Sequence, residues 1–340
     1  MKQDPKVLFV GDGGNPQILR GILRDHQIDI HARVRPASVK MFPLLRHLQY
    51  FRLAMYAVWS RKQYDAVFIW QQYVGLYYFL ISVIYPFHRR PCCVYYIIFK
   101  PKPRSVLSWV KRALLSSMIR SRYVDKAIIL SQCDELFEEM SEEKRVLLST
   151  YTEKSSYIEK RMSAGSVAPT SDYFSGGVSN RDYRALKYLS ETMKDKLFSV
   201  ACLPKDLARM SPIPPNMQVD DNAYDDAFEE LILSSKAVIL PILNPNVTSG
   251  QIVCLRAMQS AKPVFMTRNN FMVDWMQDVG DLRFFVMYDE VDQLHLLLSR
   301  LTDDDLVELG RQAREYYLNH FDEEPFYRGI AEVIESVLRR

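Results

Sequence analysis

Three stretches of this chain carry small and polar residues where an apolar run gives way to a helical one, the position at which backbone N–H groups can meet an anion. The first is Gly11-Asp12-Gly13-Gly14-Asn15-Pro16, directly after Val7–Val10. Glycines there let a ligand approach the backbone closely, which makes Gly13, Gly14 and Asn15 candidate ligand contacts. Asp12, the only carboxylate in the loop, is a candidate general base. Pro16 stands where the dinucleotide pattern G-x-G-x-x-G needs its third glycine, so a nicotinamide or flavin site is unsupported. An ordinary tight turn accounts for the same glycines. The second stretch is Asp172–Tyr183, where a strand ends in Gly176-Gly177 and Ser179 or Asn180 can cap the helix that follows. Amides, the Ser179 hydroxyl and Arg181 would converge there in a way that suits a diphosphate. A plain capped turn, with Arg181 and Asp182 complementing the helix end, explains it equally. The third is Pro241–Met258, a strand, a polar loop and a helix with Thr248-Ser249-Gly250 at its start and Gln251 and Arg256 within it.

Other chemistries find little support. Asp303-Asp304-Asp305 has the spacing of a metal-binding D-x-D, but it follows Thr302 at a helix start, where carboxylates stabilise the helix dipole. Asp220-Asp221 lacks that spacing, and the six His form no pair at helical spacing. No metal is expected. The five Cys (Cys92, Cys93, Cys133, Cys202 and Cys254) are odd in number and not in CxxC spacing, which argues for a reducing compartment. No G-x-S-x-G occurs, so a Ser-His-Asp hydrolase is unsupported. The first residues run straight into a strand, and no secretory signal is expected.

The elements that must position these loops alternate. Strands are expected at Val7–Val10, Ile28–Val34, Val67–Trp70, Val94–Phe99 and Ala127–Leu130, with helices at Pro16–Arg24, Leu44–Ser60, Tyr73–Tyr85 and Val106–Ile119. The second half repeats the logic, with strands at Leu197–Cys202, Ala237–Pro241, Pro263–Thr267 and Phe284–Met287 and helices at 182–194, 224–233, 250–260, 303–319 and 325–338. Strand–helix alternation with continuous apolar strands predicts parallel sheets covered on both faces. A length of 340 residues at 48% hydrophobic and 25% charged predicts two globular domains. The expected division is an α/β domain over 1–160, another over 161–320, a hinge near 155–170, and a terminal helix at 321–340 that can cross back to the first domain.

The second and third stretches together resemble the carboxyl-terminal domain of GT-B glycosyltransferases, particularly the large retaining group that uses nucleotide sugars. The likeness spans roughly residues 170–320. It is closest at Leu255, Ala257, Met258, Lys262, Pro263 and Val264, where that group reads E-A-M-x-x-G-K-P-V, and Ala261 stands where it has Gly. The group carries two Glu eight positions apart, one on the donor sugar and one on the ribose; here those positions are Thr248 and Arg256. The resemblance implies two doubly wound Rossmann-like domains facing a cleft. It also implies a nucleotide sugar, UDP- or GDP-linked, bound as donor substrate with no further cofactor. Donor contacts would be Gly176, Gly177, Ser179, Arg181, Thr248, Ser249, Gly250, Gln251 and Arg256. Acceptor-side contacts would be Gly13, Gly14, Asn15, Lys100 and Lys102, with Asp12 as catalytic base. With no metal motif, helix amides and cations must stabilise the departing diphosphate. Loss of both Glu leaves a second possibility, a catalytically silent scaffold or partner protein at the membrane.

Charge is unevenly divided. Residues 1–130 hold 21 Lys and Arg against 6 Asp and Glu, and residues 131–340 hold 23 against 35. The basic half is expected to face an anionic membrane surface, by Arg46, Arg52, Arg61, Lys62, Arg89 and Arg90 and by Trp59, Tyr77, Tyr78 or Phe79. Ala66–His88 is uncharged and long enough to cross a bilayer, but Gln71-Gln72 breaks it into a strand and a short helix. A peripheral, cytoplasm-facing position with a lipid-linked or saccharide acceptor, as in bacterial surface-polysaccharide assembly, is the resulting expectation. No nucleic-acid module is recognised.

Overall fold

The computed structural model describes residues 4–36, 41–99, 105–132, 134–148, 154–165, 167–276 and 283–339. The chain forms two units, residues 1–149 with 324–340, and residues 150–323. In the first unit the order is β1 (Lys6–Gly11), α1 (Pro16–Asp25), β2 (Asp29–Val34), α2 (Pro43–Ser60), β3 (Ala66–Ile69), α3 (Gln72–Ile84), β4 (Cys92–Ile97), α4 (Val106–Arg120), β5 (Lys126–Ile129) and β6 (Arg145–Leu147). The second holds α5 (Ser156–Ser163), β7 (Ser171–Gly176), α6 (Tyr183–Thr192), β8 (Phe198–Ala201), α7 (Pro204–Met210), β9 (Met217–Asp220), α8 (Asp226–Leu233), β10 (Ser235–Leu240), α9 (Gln251–Gln259), β11 (Val264–Thr267), α10 (Asn270–Trp275), β12 (Phe285–Tyr288), α11 (Val291–Leu298) and α12 (Asp303–His320). The last helix, α13 (Glu323–Leu338), returns to the first unit.

Both sheets have six parallel strands, in the orders β2-β1-β3-β4-β5-β6 and β12-β11-β10-β7-β8-β9. Parallel strands with helical crossovers bury both faces, which is why β3 reads Ala-Val-Phe-Ile without a polar residue. Each sheet has a switch point where successive connections leave in opposite directions: between β1 and β3 in the first unit, and between β7 and β10 in the second. The carboxyl ends of the strands at such a point bound a crevice. The uncharged run after Tyr64 resolves into β3 and α3, and among the described residues no helix is long and apolar enough to cross a membrane.

Two polar features close the first unit. Asn15 caps α1 by accepting from the amides of Gln17 and Ile18, while its own N–H is held by the Tyr327 hydroxyl of α13. Arg61, grouped with the membrane-facing cations on sequence grounds, is instead fully buried. Its guanidinium donates to the Ser82 hydroxyl at 2.8 Å, to the Tyr85 carbonyl at 2.7 Å and to the Phe87 carbonyl at 2.5 Å, and lies over the Tyr78 ring. The cation thus terminates α3, whose last carbonyls have no further amide to meet. Tyr78, expected at the surface, is buried with it. Arg61→Leu should cost about 3 kcal/mol, because two carbonyls and a hydroxyl lose a charged donor. Urea unfolding would measure it, and an unchanged midpoint would contradict this role.

Candidate functional site

The glycine turn after β7 and the polar loop after β10 meet at the second unit's switch point. Gly177 has φ +123° and a Cβ there would lie 2.6 Å from the Arg181 guanidinium, so only glycine lets the chain turn over that side chain. Arg181 is 5% exposed, and it donates to the Gly176 carbonyl at 2.9 Å and the Ser179 carbonyl at 2.8 Å. Burial pulls its guanidinium down to about 10. The cation expected to meet a diphosphate is occupied in holding the turn. Asp182, rather than Ser179 or Asn180, caps α6.

Asn180 fastens the two loops together. Its side-chain amide donates to the Asn244 carbonyl at 2.8 Å and the Ser249 hydroxyl at 3.0 Å, and its Oδ1 accepts from the Asn244 amide at 3.0 Å. Backbone pairing of Arg181 with Ile242 and of Asp182 N–H with the Pro241 carbonyl continues the join. Gly177 and Gly250 therefore lie on the same edge of one sheet.

Gly250 is the N-cap of α9 with φ +91°, and among the described residues no side chain caps that helix. Its first N–H groups are left to a ligand or solvent, at the positive end of the helix dipole. Beside them the Thr248 hydroxyl and the Gln251 side-chain amide nitrogen are buried without a hydrogen-bond partner among the described residues. Buried polar groups are normally paired, so each of these calls for a partner, which a ligand or an ordered water would supply. A cavity of about 240 Å³ lies next to this helix, lined by Gly177, Tyr224, Phe228, Glu229, Ile252 and Arg256 among others.

Glu229 is the residue that sequence reasoning passed over. It comes from α8, which reads as a merely acidic amphipathic helix. Here its carboxylate accepts from the Ser155 hydroxyl and pairs with Arg256 at 3.2 Å. Arg256 is thus neutralised and also bonded to Gln259. Nothing in the spacing of 229 and 256 announces that pair; only the packing of α8 on α9 makes it. Ala261, where the resembling group has Gly, has φ +56° and ends α9 in the left-handed turn that glycine would favour.

The first unit treats its glycines differently. A Cβ on Gly11 or Gly14 would come within 2.4 or 2.8 Å of Trp70, and Gly13 also lies against its indole. Trp70 in turn packs on Phe9, Tyr95, Phe326 and Tyr327. The glycines of this loop make room for an indole, and Asn15 is a helix cap. Asp12 lies beside them, accepting from the Tyr50 hydroxyl at 2.8 Å, and burial raises its pKa despite that bond and nearby Arg46. His47, Tyr50, Tyr73 and Tyr77 form an aromatic cluster next to it. Lys100 and Lys102 fall outside the described residues. Asp303 pairs with Lys236 and Asp305 completes a capping box with Thr302, so these carboxylates have structural partners. Among the described residues no group of three His, Cys, Asp or Glu is assembled to hold a metal.

No family model matches this chain, and no curated protein sequence matches it. Solved structures match it in fold. Anabaena Alr3699/HepE, crystallised in complex with UDP, aligns with a TM-score of 0.63 at 15% identity over 97% of this chain and 100% of that one. OtsA in its apo form aligns at 0.62 with 11% identity, covering 98% and 99%. The UDP-GlcNAc 2-epimerase of Methanocaldococcus jannaschii aligns at 0.53 with 12% identity, covering 97% and 99%. The chain has the GT-B glycosyltransferase fold that the resemblance implied. An epimerase shares that scaffold, so the chemistry has to be argued from the site.

Folding raises the Asp12 pKa, so the native chain holds that proton more tightly than the unfolded one. Ionised Asp12 is then a cost to stability at neutral pH, and the cost disappears as pH falls through the native pKa. Asp12→Asn, which can still accept from Tyr50, should slightly raise the melting temperature at pH 7, with the gap to the parent closing on acidification. A lowered melting temperature at pH 7 would contradict it.

Proposed function

We propose that this protein is a glycosyltransferase that moves a sugar from a UDP- or GDP-linked donor to a lipid-linked saccharide acceptor in surface-polysaccharide assembly. The observation that carries the donor reading is the uncapped start of α9 with the unpaired Thr248 hydroxyl and Gln251 amide beside it. Helix N–H groups there stabilise the charge that develops on the departing diphosphate, and they cost no reorganisation at the moment of transfer. Glu229, steadied by Arg256 and Ser155, is the carboxylate we assign to the donor's hydroxyls, in place of the Glu that position 256 lacks. On the first unit, Asp12 takes the acceptor proton; a carboxyl raised by burial is the better base for it. The aspartates at 303 and 305 are already engaged, and the reaction is proposed to need no metal.

Calorimetry with UDP and GDP tests the donor site. Ile252 is 58% exposed on the cavity wall. Ile252→Asp should leave the fold intact and weaken nucleoside diphosphate binding by about tenfold or more through repulsion. Failure of the parent to bind either nucleotide would overturn the assignment and favour a silent scaffold, and equal binding by the variant would overturn the placement of the nucleotide at this helix start. Donor turnover should persist in EDTA.

The membrane reading rests on α2, α3 and α4, which pack side by side and carry large apolar side chains outward. Leu44, Trp59, Ile84, Leu107 and Trp109 are each 61–85% exposed. Outward apolar surface on this scale marks an interaction site, and Arg46, Arg52 and Lys111 on the same helices suit an anionic leaflet at about 1 kcal/mol each. Arg89 contributes less, being paired with Asp125. Vesicles containing phosphatidylglycerol should sediment the protein, with partial release by salt. Leu107→Asp with Trp109→Asp should remove most of the salt-resistant part. Unchanged sedimentation of that variant would exclude docking by this face.

A further inference from the structure

The second unit holds another cavity on the opposite edge of its sheet, where β10 begins and α9 ends. It measures about 870 Å³, within the range of about 300–1,000 Å³ usual for small-molecule sites. Its walls are largely apolar and include Val167, Pro169, Leu233, Leu306, Val307 and Leu318. Three of its four cations are already neutralised. Lys236 pairs with Asp172 and Asp303, Arg311 with Glu308 and Glu315, and Arg314 with Glu159.

Lys262 differs. Among the described residues its ammonium has neither a hydrogen-bond nor an ion-pair partner, and burial alone pulls it down to about 8. Ser260, two positions earlier and lining the same cavity, is 1% exposed, and its hydroxyl has no hydrogen-bond partner among the described residues. An unpaired cation and an unpaired buried donor against an apolar wall are a costly combination that a matching ligand would relieve.

We propose that this cavity binds an amphiphile with a single carboxylate head, a fatty acid in chemical class, its head on Lys262 and Ser260 and its chain along the wall made by α12 and residues 167–169. One unpaired ammonium and one hydroxyl match a monoanion. A phosphate dianion would find no second free cation, and it would meet the carboxylates of Asp303 and Glu315, which also line the cavity. The site is separate from the α9 start, so it stands whether or not a nucleotide binds there.

Titration of the full chain with dodecanoate below its micelle concentration tests this, with dodecanol as the neutral control. All titrations use the Leu107→Asp, Trp109→Asp background, which removes uptake by the outer helices of the first unit. Saturable binding of one dodecanoate is expected, weakening above pH 8 as the free ammonium loses its proton. Lys262→Met should weaken dodecanoate by about tenfold or more while leaving dodecanol unchanged. Val307 is 73% exposed, so Val307→Asp keeps the fold and should repel the carboxylate to a similar degree, even if the lysine variant fails to fold. Absence of saturable binding overturns the proposal. So does binding that neither substitution alters, or equal affinity for the acid and the alcohol.

Discussion

The structure turns on the divergence of connections between β7 and β10. Parallel strands send all their carboxyl ends to one edge, and a crossover normally covers each neighbouring pair. Between these two strands the chain departs in opposite directions, so no crossover helix spans the gap. Two loops then have to hold each other without a shared crossover. Asn180 and Arg181 do that, one joining loop to loop and the other filling the space beneath the glycine turn. Once they are in place, α9 starts at the crevice with its amides unclaimed, and α8 brings Glu229 against it.

The same topological fork in the first unit has the opposite outcome. Trp70 follows β3 where Pro241 and Ile242 follow β10, and its indole occupies the space over Gly11, Gly13 and Gly14. Phe326 and Tyr327 cover it from α13. The side chain after the second strand of the fork decides the difference. A large ring closes the crevice, and small or polar residues leave it open.

Much of this was legible from the residues. Apolar strand runs without alternation, and helices bounded by Pro16, Pro43 and Ser105, identify the parallel α/β architecture because burial on both faces leaves a pattern that periodicity detects. The break at Gln71-Gln72 correctly separates β3 from α3, since Gln71 caps that helix. Short elements within polar sequence, such as α7 and β9, escape because their apolar content is too small to stand out. The roles of individual residues were less legible. A cation near a glycine turn looks the same whether it faces a ligand or the turn's own carbonyls. Arg61 and Arg181 are distinguished from surface cations only by the chain that closes over them, and Glu229 acquires its place from a helix distant in sequence.

The return of α13 to the first unit has a consequence for biosynthesis. Residues 150–323 leave the ribosome as a continuous stretch and can complete their core at once. The first unit, though begun earlier, lacks Phe326 and Tyr327 until residues 150–323 have been made, and Trp70 lacks its cover for as long. At roughly 5–20 residues per second that interval is on the order of 10 s or more. During it the crevice lined by the Trp70 indole is open to water. The part of the chain made first is therefore the last to be completed.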